Sequence, residues 1–181
     1  KGVARASLGD IAQASGATRG AIYWHFKDKA DLFNAMMDRV TLPLESAYAA
    51  GQAQLPPLQR LRDVVQRVLR MVVSDERTRR VLEIAMYKVE YVAELSAVRD
   101  RHIHACEDFR RKLADDLIAA AHAQGLALRL PIDAAAMGLW ALFDGLLQGW
   151  LLERGGFDLV AVGAVTVDSY LTGLGLDVAG G

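Results

Sequence analysis

Apolar residues recur at every third or fourth position along almost the whole chain, and strand-like alternation is absent. The clearest stripe places apolar side chains at Leu58, Leu61, Val64, Val65, Val68, Leu69 and Val72. Because this spacing gives an α-helix one apolar face, the sequence predicts an all-α fold. The predicted helices cover residues 8–15, 19–25, 29–48, 58–73, 77–91, 96–122, 132–152 and 158–174.

The segment from Gly51 to Pro57 has the composition of a linker and ends in two consecutive prolines. We expect a domain boundary there, with one domain over residues 1–50 and a second over residues 51–181. Pro43 interrupts the helix predicted over residues 29–48, so we expect a kink or an early end at that point.

Charge is distributed unevenly along the chain. Residues 1–29 carry five basic and two acidic side chains, whereas the net charge of the whole chain is −1. A local positive patch on a near-neutral body attracts a polyanion. The single cysteine, Cys106, excludes an intrachain disulfide and fits a reducing compartment. The chain starts at Lys1 rather than Met, so we expect that part of the natural chain precedes it.

The strongest functional pattern lies between residues 7 and 33. A short helix ends at Gly16, Thr18 is a good N-cap for a second short helix, and a longer helix follows the turn at Asp28. Two short helices joined by a tight turn form a helix-turn-helix. The second helix of such a unit enters the major groove of DNA with its N-terminal end first.

The side chains of this second helix fit contacts with DNA. Arg19 has the donors to reach guanine or a phosphate, and Ala21 has the methyl group to contact a thymine methyl. Gly20 is small enough for the backbone to approach the groove. Donors to phosphate oxygens follow at Tyr23, Trp24, His25, Lys27 and Lys29. Ile22 and Phe26 share the opposite face, which we expect to be buried.

The run from Thr18 to Lys29, Thr-Arg-Gly-Ala-Ile-Tyr-Trp-His-Phe-Lys-Asp-Lys, closely resembles the recognition-helix signature of TetR-family transcriptional regulators. The likeness extends back through Asp10-Ile11-Ala12, Ser7-Leu8 and Gly2-Val3. Later segments resemble the AcrR and TtgR subgroup, at residues 75–80, 88–91, 144–146, 150–152 and 157–159. That subgroup consists of repressors of multidrug efflux operons, which hydrophobic drugs release from DNA.

The resemblance implies a TetR-like fold, a palindromic operator, a location in the bacterial cytoplasm and a set of DNA contacts. The matching positions are Ser7, Thr18, Arg19, Gly20, Tyr23, Trp24, His25 and Lys29. The family also has a full helix before the position of Gly2, and this helix is missing here. We therefore expect a head that is incomplete at its N-terminus and weak or absent operator binding by this chain, although the natural protein binds.

The helices after the linker are predicted to enclose an apolar cavity. The candidate lining residues, matched to the subgroup, are Val64, Val68, Leu82, Met86, Phe109, Leu113, Trp140 and Phe143. Methionine and aromatic side chains suit an adaptable pocket, while a solid core is the alternative for each of them. Acidic groups that favour cationic, lipophilic ligands are added by Glu83, Glu90 and Asp144.

Asp144 lies in an otherwise apolar segment, where an unpaired charge is costly. It is either a partner for the ligand or an acid paired inside the protein, and the sequence leaves both open. The segment 134–152 approaches the length of a membrane-spanning helix. We prefer a helix buried between two protein layers and no membrane contact, because the segment also contains Gln148, Gly138, Gly145 and Gly149.

The helix over residues 132–152 is apolar on nearly all sides, which is more than the core of one chain needs. We expect it to form a homodimer interface together with the helix over residues 158–174, as the family does. A two-fold dimer presents two helix-turn-helix heads to a palindrome.

The segment with His102, His104 and Cys106 is set aside as a metal site, because residues two apart point to different sides of a helix. The sequence has no glycine-rich phosphate loop and no nucleophile–base pattern, so we expect neither an enzyme nor a cofactor. The predicted function is a repressor of a multidrug efflux operon, with helix 29–48 as a lever between drug and operator. The alternatives are a TetR-type regulator of a non-efflux gene and a small-molecule-binding protein with a non-functional head.

Overall fold

The computed structural model describes residues 6–38, 54–87 and 96–179. Eight stretches of these residues are helical and none is a strand. The helices are α1 (Leu8–Ser15), α2 (Arg19–His25), α3 (residues 29–38), α4 (Pro57–Ser74), α5 (Glu76–Tyr87), α6 (Ser96–Ala123), α7 (Ile132–Leu152) and α8 (Leu159–Gly173). The all-α prediction is confirmed, and α1, α2, α4, α6, α7 and α8 begin and end within one residue of their predicted bounds.

Several predictions fall outside the described residues. The helix predicted over residues 29–48 is described as far as residue 38, so the kink at Pro43 lies beyond it. The same holds for the predicted end of α5 at residues 88–91, which includes Glu90, and for the domain boundary after residue 50.

Polar side chains and one glycine define the helix-turn-helix. Ser7 Oγ accepts a hydrogen bond from the backbone N–H of Asp10 at 3.1 Å, and the Asp10 carboxylate accepts one from the backbone N–H of Ser7 at 2.9 Å. This reciprocal pair is a capping box. Gly16 ends α1 with a φ of 74°, which glycine adopts without strain. Thr18 Oγ1 then accepts from the N–H of Ala21 at 3.1 Å and starts α2.

The body of the molecule is assembled around α4. This helix packs against α5, α6 and α8, and α7 packs against the same three helices. The approach of α8 to α4 is close, since a Cβ at Gly163 would lie 2.2 Å from Cδ1 of Leu69. The core draws its side chains from α4, α6, α7 and α8. Each fully buried leucine in it, such as Leu61, contributes about 1.5–3 kcal/mol to stability.

Helix α3 joins the helix-turn-helix to this body. Phe33 on α3 and Val98 on α6 are both buried and pack together, 5% exposed each. Asp38, also on α3, forms a salt bridge with Arg101 on α6. Helix α3 therefore contacts α6 through the apolar pair Phe33 and Val98 and through the salt bridge between Asp38 and Arg101.

Helix α7 is long and apolar enough to cross a membrane, with a mean hydropathy of 1.3. Core helices of soluble proteins have the same length and composition. One face of α7 is buried in the body through Ala135, Leu139, Phe143, Leu147 and Trp150. A Cβ added at Gly145 or Gly149 would meet no atom within 4 Å, so the other face is open in the single chain.

Candidate DNA-binding face and ligand cavity

Helix α2 presents two large aromatic rings to the outside. Tyr23 is 54% exposed and Trp24 is 82% exposed, whereas Ile22 is 7% exposed in a small core between α1 and α2. The Trp24 ring meets the ring of His25 edge to face, with 4.9 Å between centroids. Neighbouring large rings on an open surface are typical of a face that docks on a partner.

The nine residues predicted to contact DNA lie at the start of α1, at and along α2, and at the start of α3. Lys29 is half-buried, and the others are exposed: Ser7, Thr18, Arg19, Gly20, Ala21, Tyr23, Trp24 and His25. The hydroxyl groups of Ser7 and Thr18 are engaged as helix caps. A Cβ added at Gly20 would meet no atom within 4 Å, so the backbone there is open to close approach.

The guanidinium of Arg19 folds back over α1. An ideal Cβ at Gly9 would lie 2.8 Å from Nε and 3.1 Å from Nη2 of Arg19. Gly9 thus provides the space in which the arginine side chain rests. Sequence reasoning did not single out Gly9; the signal for it is a glycine inside an eight-residue helix, which has a packing reason more often than a conformational one.

An apolar cavity of about 110 Å³ lies in the body. Helices α3 to α7 line it with Met37, Val68, Met71, Val72, Leu82, Met86, His102, Ala105, Cys106, Asp108, Phe109, Lys112, Trp140, Phe143, Asp144 and Leu147. Three rings form one wall. The Phe109 centroid lies 5.6 Å from that of Trp140 and 5.7 Å from that of Phe143. This wall offers stacked and edge-on contacts to an aromatic ligand.

Ten of the predicted ligand-binding residues lie in the described part of the chain, and seven of these line the cavity: Val68, Leu82, Met86, Phe109, Trp140, Phe143 and Asp144. Val64 and Leu113 are 1% and 0% exposed and do not line it, so the structure favours the solid-core alternative for these two side chains. Glu83 is half-buried on α5 and also lies outside the lining.

Asp144 brings negative charge to the cavity wall. It is half-buried, and its Oδ2 accepts a hydrogen bond from Nε2 of Gln148 at 2.5 Å. Burial, helped by the charge of Asp144, raises the pKa of the Cys106 thiol to about 11. Burial lowers the pKa of His102, and Asp144 opposes that shift. At neutral pH, His102 and Cys106 therefore line the cavity as neutral groups.

Sequence reasoning missed Met37, His102 and Cys106 as cavity residues. A signal for two of them exists, because His102, Cys106 and Phe109 recur at the spacing of one helix face. The structure bears out this shared face, with 3.7 Å between Nε2 of His102 and Sγ of Cys106. Met37 has no such signal, since it reaches the cavity through the packing of α3 on the body.

His102 and His104 on α6 point to different partners. His104 Nδ1 lies 2.6 Å from the carbonyl oxygen of Asp100, one turn earlier, while His102 faces Cys106. Residues 6–38, 54–87 and 96–179 contain no group of three or more side chains arranged to hold a metal ion.

A head with an exposed aromatic recognition helix, joined through α3 to a helical body with an apolar cavity, defines the class of helix-turn-helix transcription regulators with a receptor domain. The sequence profile of bacterial regulatory proteins of the tetR family matches residues 1–36. The profile of the MAATS-type transcriptional repressor C-terminal region matches residues 56–175. The chain belongs to the TetR family of bacterial transcriptional regulators. Because these are regulators, the expectation that the chain is not an enzyme is confirmed.

Named relatives sharpen the comparison. The HTH-type transcriptional regulator AcrR of Shigella flexneri is 36% identical over 161 residues, which is 88% of this chain and 75% of AcrR. NalD, the secondary repressor of the MexAB-OprM multidrug efflux pump in Pseudomonas aeruginosa, matches with a TM-score of 0.80 at 34% identity, over 96% of this chain and 88% of NalD. The structure of the SmeT–triclosan complex matches with a TM-score of 0.79 at 29% identity, over 98% of this chain and 85% of SmeT. The chain is a TetR-family repressor that resembles efflux-pump repressors.

Proposed function

We propose that the chain represses a multidrug efflux operon in the bacterial cytoplasm and that hydrophobic drugs release it from a palindromic operator. The observation that carries the proposal is the position of Met37. Helix α3, which directly follows the helix-turn-helix, contributes this side chain to the wall of the apolar cavity. The likeness to NalD and to the SmeT–triclosan complex supports an efflux operon as the target and a small hydrophobic compound as the ligand.

The head, within residues 1–50, binds the operator through the exposed face of α2. Arg19 leaves its resting place over Gly9 to reach a base or a phosphate, and Tyr23 and Trp24 donate to phosphates on either side. Contacts of this kind release counterions from DNA, so operator affinity falls as salt rises.

The receptor, within residues 51–181, binds the drug in the apolar cavity. The rings of Phe109, Trp140 and Phe143 take up apolar and aromatic groups, and Met86 adapts to their shape. The negative charge of Asp144 favours ligands that are also cationic.

Drug binding is coupled to DNA binding through α3. A ligand in the cavity displaces Met37 and shifts α3, which changes the distance between the two heads of a dimer. A coupling free energy of about 1–3 kcal/mol is enough to change operator affinity 5–150-fold.

The homodimer forms through the exposed faces of α7 and α8. Met137 and Leu152 on α7 are 46% and 71% exposed, and Val165 on α8 is 67% exposed. Gly145 and Gly149 leave room on α7 for a second helix to approach closely. A two-fold interface of this kind places two α2 helices on a palindrome.

The test is an electrophoretic mobility shift with the natural full-length protein and the DNA upstream of its own gene, at fixed salt, with and without triclosan. We expect a specific complex that triclosan dissolves. A specific complex that persists with bound triclosan would contradict drug release, and the absence of any specific complex would favour a small-molecule-binding protein over a repressor.

Two substitutions separate the head from the receptor in the same assay. Arg19→Ala and Tyr23→Ala are expected to weaken operator binding and leave triclosan binding unchanged. Arg154→Ala is the matched control, since Arg154 is an exposed arginine in the turn after α7, far from α2 in sequence. Loss of both activities in one variant would indicate misfolding instead.

A further inference from the structure

A second chamber, more polar than the first, adjoins the apolar cavity. It has a volume of about 170 Å³ and is lined by Asn34, Met37, Val98, Arg101, His102, His104, Ala105 and Asp108. Four of these side chains also line the apolar cavity: Met37, His102, Ala105 and Asp108. The two chambers are therefore neighbours that share part of their walls on α3 and α6.

Asn34, one of the residues that line the polar chamber, carries a hydrogen-bond acceptor that the described part of the chain does not use. Oδ1 of Asn34 is buried and has no hydrogen-bond partner among the described residues. The neighbouring charges do have partners, because Arg101 pairs with Asp38, and the Asp108 carboxylate accepts from Arg111 at 2.8 Å. A buried amide oxygen without a donor is unfavourable, so this position selects a group that carries a hydrogen to donate.

The size of the apolar cavity also indicates that a ligand reaches into the polar chamber. At about 110 Å³ it is smaller than the roughly 150 Å³ cavity that accommodates benzene in an engineered core. A drug-sized molecule must therefore extend beyond it. The polar chamber is the adjoining space, and together the two approach the roughly 300 Å³ at which ligand pockets begin.

We propose that the ligand occupies both chambers, with an apolar ring against Phe109, Trp140 and Phe143 and a hydroxyl or ammonium group that donates a hydrogen bond to Oδ1 of Asn34. This inference rests on the proposed function and names the chemical class of its ligand: an aromatic compound with one donor near the end of its apolar part. Asn34 and Met37 lie one turn apart on α3. The donor group of the ligand thus makes a direct contact with α3, the helix that follows the helix-turn-helix.

The test compares triclosan, a chlorinated diphenyl ether with one phenolic hydroxyl, with its methyl ether, which lacks the donor. Isothermal titration of both compounds, with the phenol protonated, is done on the wild type, Asn34→Leu and Asn34→Asp. We expect the wild type to bind triclosan about 3–10-fold more tightly than the methyl ether, since one hydrogen bond separates them. Asn34→Leu should bind both compounds equally, and Asn34→Asp, which keeps an acceptor, should retain the preference.

Gln66→Leu is the matched control, because it removes a half-buried amide on α4 that lines neither the apolar cavity nor the polar chamber, and it should keep the preference. If Asn34→Leu keeps the preference and its unfolding transition shows that it is folded, Asn34 is not the acceptor for the ligand, and the inference is wrong while the repressor function stands. If neither compound binds the wild type, the inference fails together with the proposed drug binding. Operator binding without ligand, measured on each variant, distinguishes a failure of this inference from a failure of the proposed repressor function.

Discussion

The carboxylate of Asp38 on α3 forms a salt bridge with the guanidinium of Arg101 on α6. Both side chains are partly exposed, at 36% and 45%, so the pair adds at most about 1 kcal/mol to stability. Its importance is positional. Arg101 precedes His102 on α6, Asp38 follows Met37 on α3, and both His102 and Met37 line the apolar cavity. The pair therefore links the two helices next to side chains that line the cavity.

Arg101→Ala should weaken the coupling between ligand and operator. We expect the ratio of operator affinities without and with saturating triclosan to fall about threefold, within the range of coupling changes seen for single residues between two sites. Mobility shifts on the wild type and the variant measure this ratio. Arg99→Ala is the control, since Arg99 pairs with Asp100 on its own helix. If the wild type and both variants show the same ratio of operator affinities, the salt bridge does not contribute to the coupling between ligand and operator.

Trp24→Ala should reduce operator affinity about tenfold and change the free energy of unfolding by less than about 0.5 kcal/mol. The reason is the exposure of the indole, which loses few contacts in the free protein and many at an interface. Operator titration and denaturant unfolding measure the two effects. Ile22→Ala is the contrasting variant, because its buried side chain should destabilise the head when shortened. A Trp24 variant that binds DNA normally would exclude α2 as the docking face.

Arg60→Met should lower the stability of the body by about 3 kcal/mol, because it leaves the buried carboxylate of Asp116 without its guanidinium partner. Nε of Arg60 donates to Oδ1 of Asp116 at 2.7 Å, and Asp116 is 3% exposed. Urea unfolding measures the change. Arg80→Met removes an exposed pair with Glu76 and should cost less than about 1 kcal/mol. Equal effects of the two substitutions would contradict this assignment.

Alkylation of Cys106 by iodoacetamide should be slow and should keep accelerating up to about pH 11. With a pKa of about 11, about one thiol in a thousand is ionised at pH 8, against about one in ten at the ordinary value of 9.0. Triclosan in the cavity should slow the reaction further, because Cys106 lines the wall. Mass spectrometry over a pH series measures both effects, and a rate that levels off near pH 9 would show an unshifted thiol.

Asp144→Asn should speed this alkylation, since the charge of Asp144 contributes to the raised pKa of Cys106. Asp133→Asn is the control, because Asp133 lies in the first turn of the same helix and does not contribute to that shift. Equal rates for the wild type and both variants would mean that burial alone sets the pKa.

Val165→Glu should convert the proposed homodimer into a monomer. The substitution places a charge on the exposed apolar face of α8, where the proposed interface would desolvate it. Sedimentation equilibrium measures the molecular mass, and triclosan binding to the monomer checks that the receptor is still folded. Val73→Glu, another exposed valine on a different helix, should leave the mass unchanged.

The sequence predicted the helices well because local chemistry defines their ends. Ser7, Thr18 and Gly16 place caps where the spacing of apolar residues begins and stops, and each of these signals acts over a few residues. The cavity was predicted less completely. Val64 and Phe109 have the same apolar pattern, yet one packs in the core and the other lines the cavity. That difference arises from how α4 and α6 pack, and no local pattern encodes it.

The packing of α3 against the body also depends on residues that are distant in the sequence. The stripe that includes Phe33, Met36 and Met37 predicts an apolar face, but its partner is not encoded nearby. Val98 lies about sixty residues away in sequence, on α6. The positions of Asn34 in the polar chamber and of Asp38 beside Arg101 could therefore not be predicted without knowing how α3 packs on α6.

The three tryptophans occupy three different environments, and this makes the protein its own spectroscopic probe. Trp24 is 82% exposed on the recognition helix, Trp140 is half-buried in the cavity wall, and Trp150 is 6% exposed, with its indole N–H donating to the carbonyl of Phe157 at 3.0 Å. Water around an indole shifts its emission to longer wavelength. Binding of DNA should therefore change the long-wavelength part of the intrinsic fluorescence, which comes from Trp24. Binding of a ligand should change the intermediate wavelengths, which come from Trp140. The short-wavelength emission of Trp150 should stay constant, so both binding events can be measured on the unlabelled protein.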